Sequence, residues 1–207
     1  MKVIPFSEVP GKEPGWKRGE GDVVLYHPTY GEIRHVWVCD KEGKPHHDQF
    51  LHNEPIGAVT MPMRKDGKVG FITADRPCFP PGKEHFPLKD FEVLGCESLE
   101  LPRGFPKKGE RSEQTAKREG AEEIGSPILE VSEIGQITPN TTFNPHRIPV
   151  YLAKIDEDFV GEVPPDVNEK ILGKVFLSKD EIMEKLKNQE IFCGFTLAAL
   201  SLWAVNK

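Results

Sequence analysis

The chain has 207 residues, 37% of them apolar and 29% charged, with a formal net charge of −6. That length supports a hydrophobic core without covalent staples, and no run of about 18 apolar residues is present to cross a membrane. The acidic balance argues against a generic binder of the nucleic-acid backbone. Cys39, Cys78, Cys96 and Cys193 form no C-x-x-C pair, and the opening MKVIPFSEVP has no apolar leader core. Reduced thiols and a cytoplasmic setting are the expectation.

In chain order, residues 1–20 carry Pro5, Pro10, Gly11, Pro14 and Gly15 and read as an extended arm. Val23–Tyr26 and Ile33–Asp40, with Val36 and Val38 alternating, read as strands joined in a hairpin at Tyr30-Gly31. Lys41–Asn53 is polar and reads as a loop. Gly57–Arg64 and Val69–Ala74 flank Lys65-Asp66-Gly67-Lys68. The Asp-Gly pair favours a two-residue turn in which both central residues have positive φ. Arg76–Pro87 contains Pro77, Pro80, Pro81 and Pro87 and reads as irregular, followed by a strand at Phe91–Cys96.

A helix is expected over Glu113–Ile124, with Ser112 as N-cap and Gly125 as its stop. Strands follow at Leu129–Ile137, Ile148–Ile155 and, briefly, Lys174–Leu177. Ser178 and Glu181 form a capping box that opens a helix with Ile182, Met183 and Leu186 on one face. Phe195–Val205 is apolar on most sides and reads as a buried helix. Strands and helices in mixed order define an α/β or α+β layered fold.

The chemistry concentrates between Leu101 and Ser126. Glu119, Glu122 and Glu123 stand at i, i+3 and i+4, so they share one helix face. Like charges at that spacing repel. A hard divalent cation with oxygen ligands relieves the repulsion, and Mg²⁺ suits a site that keeps waters and bridges phosphates. Glu110 and Arg118 are placed to pair and orient the cluster. Gly104 and Gly109 bracket a loop whose backbone can approach metal or phosphate closely. His46, His47 and His52 with Cys39 match no zinc-finger spacing.

This stretch resembles the Nudix box, G-x5-E-x7-R-E-U-x-E-E-x-G-U, with U aliphatic. Gly104, Glu110, Arg118, Glu119, Glu122, Glu123 and Gly125 fill its fixed positions at the required spacing. A chance match is of order one in ~10^8 to 10^9 per starting point. Gly120 and Ser126 depart from the pattern, standing where aliphatic residues are usual. The departures bear on packing and remove no metal ligand.

The resemblance implies a Nudix-type α/β/α sandwich with a mixed sheet over residues 56–207. It also implies an N-terminal strand extension: an arm and small antiparallel sheet over residues 1–55, a candidate dimerisation element of a homodimer. It implies Mg²⁺, or alternatively Mn²⁺, held by Glu119, Glu122, Glu123 and the Gly104 carbonyl, with Glu110, Arg118 and Gly125 in structural roles.

Glu100-Leu101-Pro102-Arg103-Gly104 further resembles the E-x-P-x-G approach of the ADP-ribose pyrophosphatase branch. Asp75-Arg76 and the C-terminal run Ile182–Trp203 are similar to the same branch. The branch likeness implies substrate contacts from Arg76, Arg103 and Glu100. It also implies a general base on a late loop, where Glu157, Glu162 and Glu169 are available and Glu169 fits best. Glu122 or Glu123 is the alternative base. The long polar loop Thr138–Arg147 carries Phe143, which is suited to stacking on a base.

The expected activity is hydrolysis of a nucleoside diphosphate joined to another group, ADP-ribose or a nucleotide sugar first. The partner is thus a small molecule, with no nucleic acid and no membrane. Three rivals stand beside it: another pyrophosphohydrolase specificity, such as a dinucleotide polyphosphate or NADH; a non-catalytic nucleotide-binding module; and an isoprenoid diphosphate isomerase.

Overall fold

The computed structural model describes residues 17–78, 94–164 and 171–206. Residues 1–16 of the arm expected over 1–20, and the first part of the strand expected at Phe91–Cys96, lie outside them.

The described residues open with a four-stranded antiparallel sheet in the order β1 (Lys17–Arg18), β2 (Val23–His27), β3 (Gly31–Cys39) and β4 (Pro45–Asn53). The β2–β3 turn is held by the His27 ring, whose Nδ1 accepts from the backbone N–H of Thr29 at 3.0 Å and of Tyr30 at 3.2 Å. Gly31 supplies the positive φ of 87° that the turn requires. Two expectations are corrected here. Lys17–Arg18 is a strand rather than arm, and Pro45–Asn53 is a strand rather than loop. β4 is polar because most of its residues face solvent, not because it lacks a ladder. Its register with β3 runs from Glu32↔Asn53 to Cys39↔Pro45.

A second, seven-stranded sheet has the order β11-β6-β5-β10-β9, with β7 on β6 and β8 on β5. Its strands are β5 (Ala58–Met63), β6 (Val69–Cys78), β7 (Leu94–Glu100), β8 (Arg103–Gly104), β9 (Ile128–Ile137), β10 (Ile148–Ile155) and β11 (Ile171–Leu177). β5 and β10 are parallel and the other pairs antiparallel, so the sheet is mixed. The helices are α1 (Ser112–Ile124), α2 (Lys179–Lys187) and α3 (Gly194–Val205).

Alternation along β5 shows the layering. Ala58 packs with Ala116 of α1 and with Tyr151. Val59 and Met61 point the other way, into the main core with Ile182, Ala199 and Leu200. Helices therefore cover both faces of the sheet, giving an α/β/α sandwich.

Local chemistry adjusts several expected boundaries. The β5–β6 turn is not a two-residue turn with two positive φ values. Gly67 alone has positive φ, at 83°. Its N–H donates to Arg64 O at 3.0 Å, and the Arg64 N–H donates to Lys68 O at 3.0 Å. This is a type I turn closed by a glycine bulge. β6 continues through Arg76 to Cys78 instead of ending at Ala74, because β7 pairs along it from Ile72↔Glu100 to Cys78↔Leu94. Pro77 is tolerated near the strand end.

The N-cap of α1 is Arg111, whose N–H donates to Gln114 Oε1 at 2.9 Å. Ser112 lies inside the helix and bonds the Tyr151 hydroxyl at 2.8 Å. Gly125 ends α1 in the left-handed conformation at φ 78°. α2 opens on the Ser178–Glu181 capping box. α3 is not fully buried as its composition implies. Thr196, Ala199 and Leu200 are buried, while Leu197 and Val205 face solvent. An apolar groove between α2 and α3, lined in part by Met183, Leu186 and Trp203, accounts for the excess of apolar residues.

Candidate active site

Three short segments meet at one end of the mixed sheet: β8, the loop Phe105–Glu110, and the face of α1 that carries its glutamates. α1 sits very close to β5. A Cβ added at Gly120 would lie 2.8 Å from Thr60 Cγ2, and the Thr60 hydroxyl donates to Ala116 O at 2.9 Å. This close approach explains the glycine where an aliphatic residue is usual. The second departure also has a partner: Ser126 Oγ donates to Asp156 O at 2.7 Å.

Arg118 organises the acidic face. Its Nε and Nη2 donate in a fork to Glu110, at 2.8 and 2.9 Å. Nη2 also reaches Phe105 O at 2.9 Å. Nη1 donates to Glu119 Oε1 at 2.7 Å and to Glu122 Oε2 at 3.0 Å. Glu110 further accepts from the Lys107 N–H at 2.8 Å and the Thr115 hydroxyl at 3.2 Å. The hydrogen-bonded guanidinium holds the Glu110 carboxyl down at about 2, and these carboxylates raise Arg118 above its ordinary value.

Glu119 and Glu123 are buried and Glu122 half-buried. The strand β8 is fitted against the buried pair. The Arg103 N–H donates to Glu123 Oε2 at 3.3 Å, and a Cβ at Gly104 would fall 2.1 to 2.6 Å from the Glu119 carboxyl atoms. Gly57 leaves matching room on the other side, since its Cβ would meet Gly104 O at 2.3 Å. Only glycine fits at either position while the neighbours keep their places.

The substrate-side candidates converge on Glu100, whose side chain is buried. Arg76 donates to it through Nε at 3.2 and 3.3 Å and through Nη2 at 2.9 Å. Arg103 Nη2 lies 3.6 Å from Glu100 Oε2, and its guanidinium sits 4.6 Å over the Phe195 ring. α3 is tied to the same segment, because the Leu101 N–H donates to Thr196 Oγ1 at 3.0 Å.

A cavity of about 260 Å³ opens beside β8, lined among others by Arg103, Gly104, Phe105, Phe143, Asn144 and Glu54. Phe143 is 40% exposed, and its ring lies 5.7 Å from that of His52. Of the loop glutamates, Glu157 accepts from the Lys65 N–H at 2.6 Å and Glu162 lies 3.6 Å from Lys174. Glu169 lies outside the described residues.

Sequence reasoning did not pick out Glu54, Asn144, Phe195 or Thr196. None belongs to a spaced motif, and each reaches the site by tertiary contact. Only the polarity of the loop around Asn144 signalled a site.

Among the described residues, no three acidic, histidine or cysteine side chains converge as a ready ion cage. The donors nevertheless suit a hard cation. Two carboxylate oxygens, from Glu119 and Glu122, already meet at the single cationic nitrogen Arg118 Nη1. Glu123 and the Gly104 backbone stand alongside.

An α/β/α sandwich with an acidic helix facing a glycine strand defines a Nudix-type hydrolase. The NUDIX domain family model matches residues 55–193, more than half of the chain, and the chain belongs to the Nudix hydrolase family. No curated protein matches it. Among solved structures it is similar to the crystal structure of an ADP compounds hydrolase, at 14% identity over 88% of each chain, with a TM-score of 0.63. At that identity the likeness concerns the fold.

Proposed function

We propose that the protein is a divalent-metal-dependent pyrophosphohydrolase acting on a nucleoside diphosphate joined to a second group, with ADP-ribose or a related nucleotide sugar as substrate. The observation that carries this reading is the meeting of Glu119 and Glu122 at Arg118, with Glu119 against Gly104 and Glu123 accepting from the Arg103 N–H, beside a cavity that also presents Arg103. Glu119, Glu122, Glu123 and the Gly104 carbonyl would hold Mg²⁺ or Mn²⁺. When bound, the metal offsets the diphosphate charge and lowers the pKa of attacking water.

The remaining work falls to the chain's own groups. Arg103 and Arg76 hold diphosphate oxygens, and Glu100 positions both guanidinium groups. Phe143 stacks on the base. Water attacks one phosphorus in line, and Glu169, or else Glu122 or Glu123, takes its proton. The P–O–P bond opens, so ADP-ribose yields AMP and ribose 5-phosphate. The similar fold of a protein described as an ADP compounds hydrolase supports this choice of substrate.

The N-terminal sheet is proposed to pair two copies into a homodimer, since Trp37 is 65% and Phe50 48% exposed on it. With a net charge of −6 the protein is proposed to act on small cytoplasmic nucleotides rather than nucleic acid. Among the described residues no helix is long and apolar enough to cross a membrane.

A panel of ADP-ribose, nucleotide sugars, dinucleotide polyphosphates, NADH and isopentenyl diphosphate, each with Mg²⁺ and with Mn²⁺, tests the proposal by product chromatography. Metal-dependent AMP release from ADP-ribose is expected. Nucleotide binding without turnover would replace it with a non-catalytic module, and isomerisation without phosphate chemistry with an isomerase.

A further inference from the structure

The cavity beside β8 presents two chemically different walls. Arg103 and Gly104 adjoin the acidic helix, whereas Glu54 and Asn144 bring acceptors. Glu54 comes from the segment after β4, one residue before the span matched by the family model. Its side chain is only 11% exposed.

The Asn144 amide nitrogen donates to Glu54 Oε1. That direction follows from chemistry, because an ionised carboxylate only accepts. The amide oxygen is therefore turned away from Glu54. It is buried without a hydrogen-bond partner among the described residues, on a residue only 7% exposed.

The neighbouring Asn140 is differently occupied. Its Oδ1 accepts from the Thr142 N–H, the Thr142 hydroxyl and the Phe143 N–H at 3.0, 2.7 and 3.2 Å, so it shapes the loop. The loop is also fastened to the N-terminal sheet, where the His52 N–H donates to Phe143 O at 2.7 Å. What remains at the cavity is a mostly buried carboxylate, whose second oxygen lies 3.6 Å from His52 Nδ1, beside a buried amide oxygen that lacks a donor among the described residues. Native structures rarely leave such a group unsatisfied.

We infer that Glu54 and Asn144 form a hydroxyl-recognition point that takes a vicinal diol of a ribose ring in the substrate. The inference rests on the pyrophosphohydrolase reading of the same cavity. A pair dominated by acceptors calls for a neutral ligand with adjacent donors, and a diol supplies two. An adenine edge fits less well, because it sets an acceptor beside its donor while the amide nitrogen of Asn144 is turned to Glu54. A phosphate fits worst, because the Glu54 carboxylate repels it and directs the diphosphate toward Arg103. The diol belongs either to the nucleoside ribose or to the second sugar. The N-terminal segment is thereby part of the substrate site.

The test uses the full chain and three ligands: ADP-ribose, its analogue without the nucleoside 2′ and 3′ hydroxyls, and its analogue without the corresponding hydroxyls of the second ribose. Binding is read by calorimetry in EDTA, and turnover with Mg²⁺. The wild type is expected to lose about 10- to 100-fold in affinity for one analogue, which identifies the ring. Glu54→Gln should lose a similar factor on ADP-ribose through Kd and KM, keep kcat within about twofold, and no longer distinguish that analogue. Asn144→Ala should show the same pattern if Glu54→Gln does not fold, with melting curves to verify folding. Equal binding of all three ligands by the wild type overturns the inference, as does a uniform loss in the variants or a fall in kcat at constant KM. If the wild type turns over nothing, the pyrophosphohydrolase reading fails. The calorimetric discrimination then still decides whether Glu54 and Asn144 read a diol.

Discussion

In the mixed sheet β5 buries five of its six residues, whereas β2 in the N-terminal sheet buries none of its five. Both are strands of similar length with neighbouring strands on both sides. β5 lies between two helical layers and is apolar on both faces, apart from Thr60, whose hydroxyl is satisfied by Ala116 O. The N-terminal strands carry their large side chains, Trp37 and Phe50 among them, into solvent. The buried sheet therefore fixes positions to fractions of an ångström, as the Gly104–Glu119 and Gly120–Thr60 approaches show. The exposed sheet should tolerate change, and it is the surface proposed above to pair two copies.

That contrast can be broken most severely at Gly104. Gly104→Ala places a methyl group inside the van der Waals radius of the Glu119 carboxyl, so one of them must move. A loss of about 100-fold or more in turnover is expected with far-UV circular dichroism retained. Near-normal turnover would show that the buried region is less exacting than its geometry implies.

A smaller effect is expected from the Glu110–Arg118 pair. The Glu110 carboxyl is held down at about 2 from its ordinary value near 4.5. A depressed carboxyl contributes stability that is complete above the unfolded pKa and is lost as pH falls through the folded one. Stability should thus decline between about pH 4.5 and 2, by roughly 3 kcal/mol from this group. Glu110→Gln should remove that part of the acid dependence, read from urea midpoints across pH.

Gly120→Ala sharpens the comparison further. Alanine favours the helix by about 1 kcal/mol, but its methyl meets Thr60 Cγ2, and overpacking costs about 1–3 kcal/mol. The net loss should be about 1 kcal/mol in chemical denaturation. Adding Thr60→Ser, which removes Cγ2 and keeps the hydroxyl, should turn it into a gain. The smallest effect on the monomer is expected in the exposed sheet. Trp37→Lys should move stability by no more than about 0.5 kcal/mol, while light scattering shows loss of the proposed dimer.

The two regions were also unequally legible in the sequence. The acidic face of α1 could be read from spacing alone, because i, i+3, i+4 fixes direction whatever the tertiary fold. The strands β5, β6 and β10 were visible because burial on both faces makes continuous apolar runs. β4 was missed, since a strand wet on both faces has the polarity of a loop. α3 was read as buried because its composition does not show that one side borders a surface groove. Gly120 and Ser126 looked like flaws in a motif until Thr60 and Asp156 came into contact with them. Glu54 and Asn144 were not legible as a pair, being 90 residues apart and joined only by the folded loop.

Whether the glutamates of α1 hold the ion that hydrolysis needs is tested most directly by Glu123→Gln. The change keeps the shape of the side chain and removes one anionic ligand. With ADP-ribose and Mg²⁺, a fall in kcat of about 100- to 1,000-fold at an unchanged melting temperature is predicted. Release of AMP within two- or threefold of the wild-type rate would contradict the account.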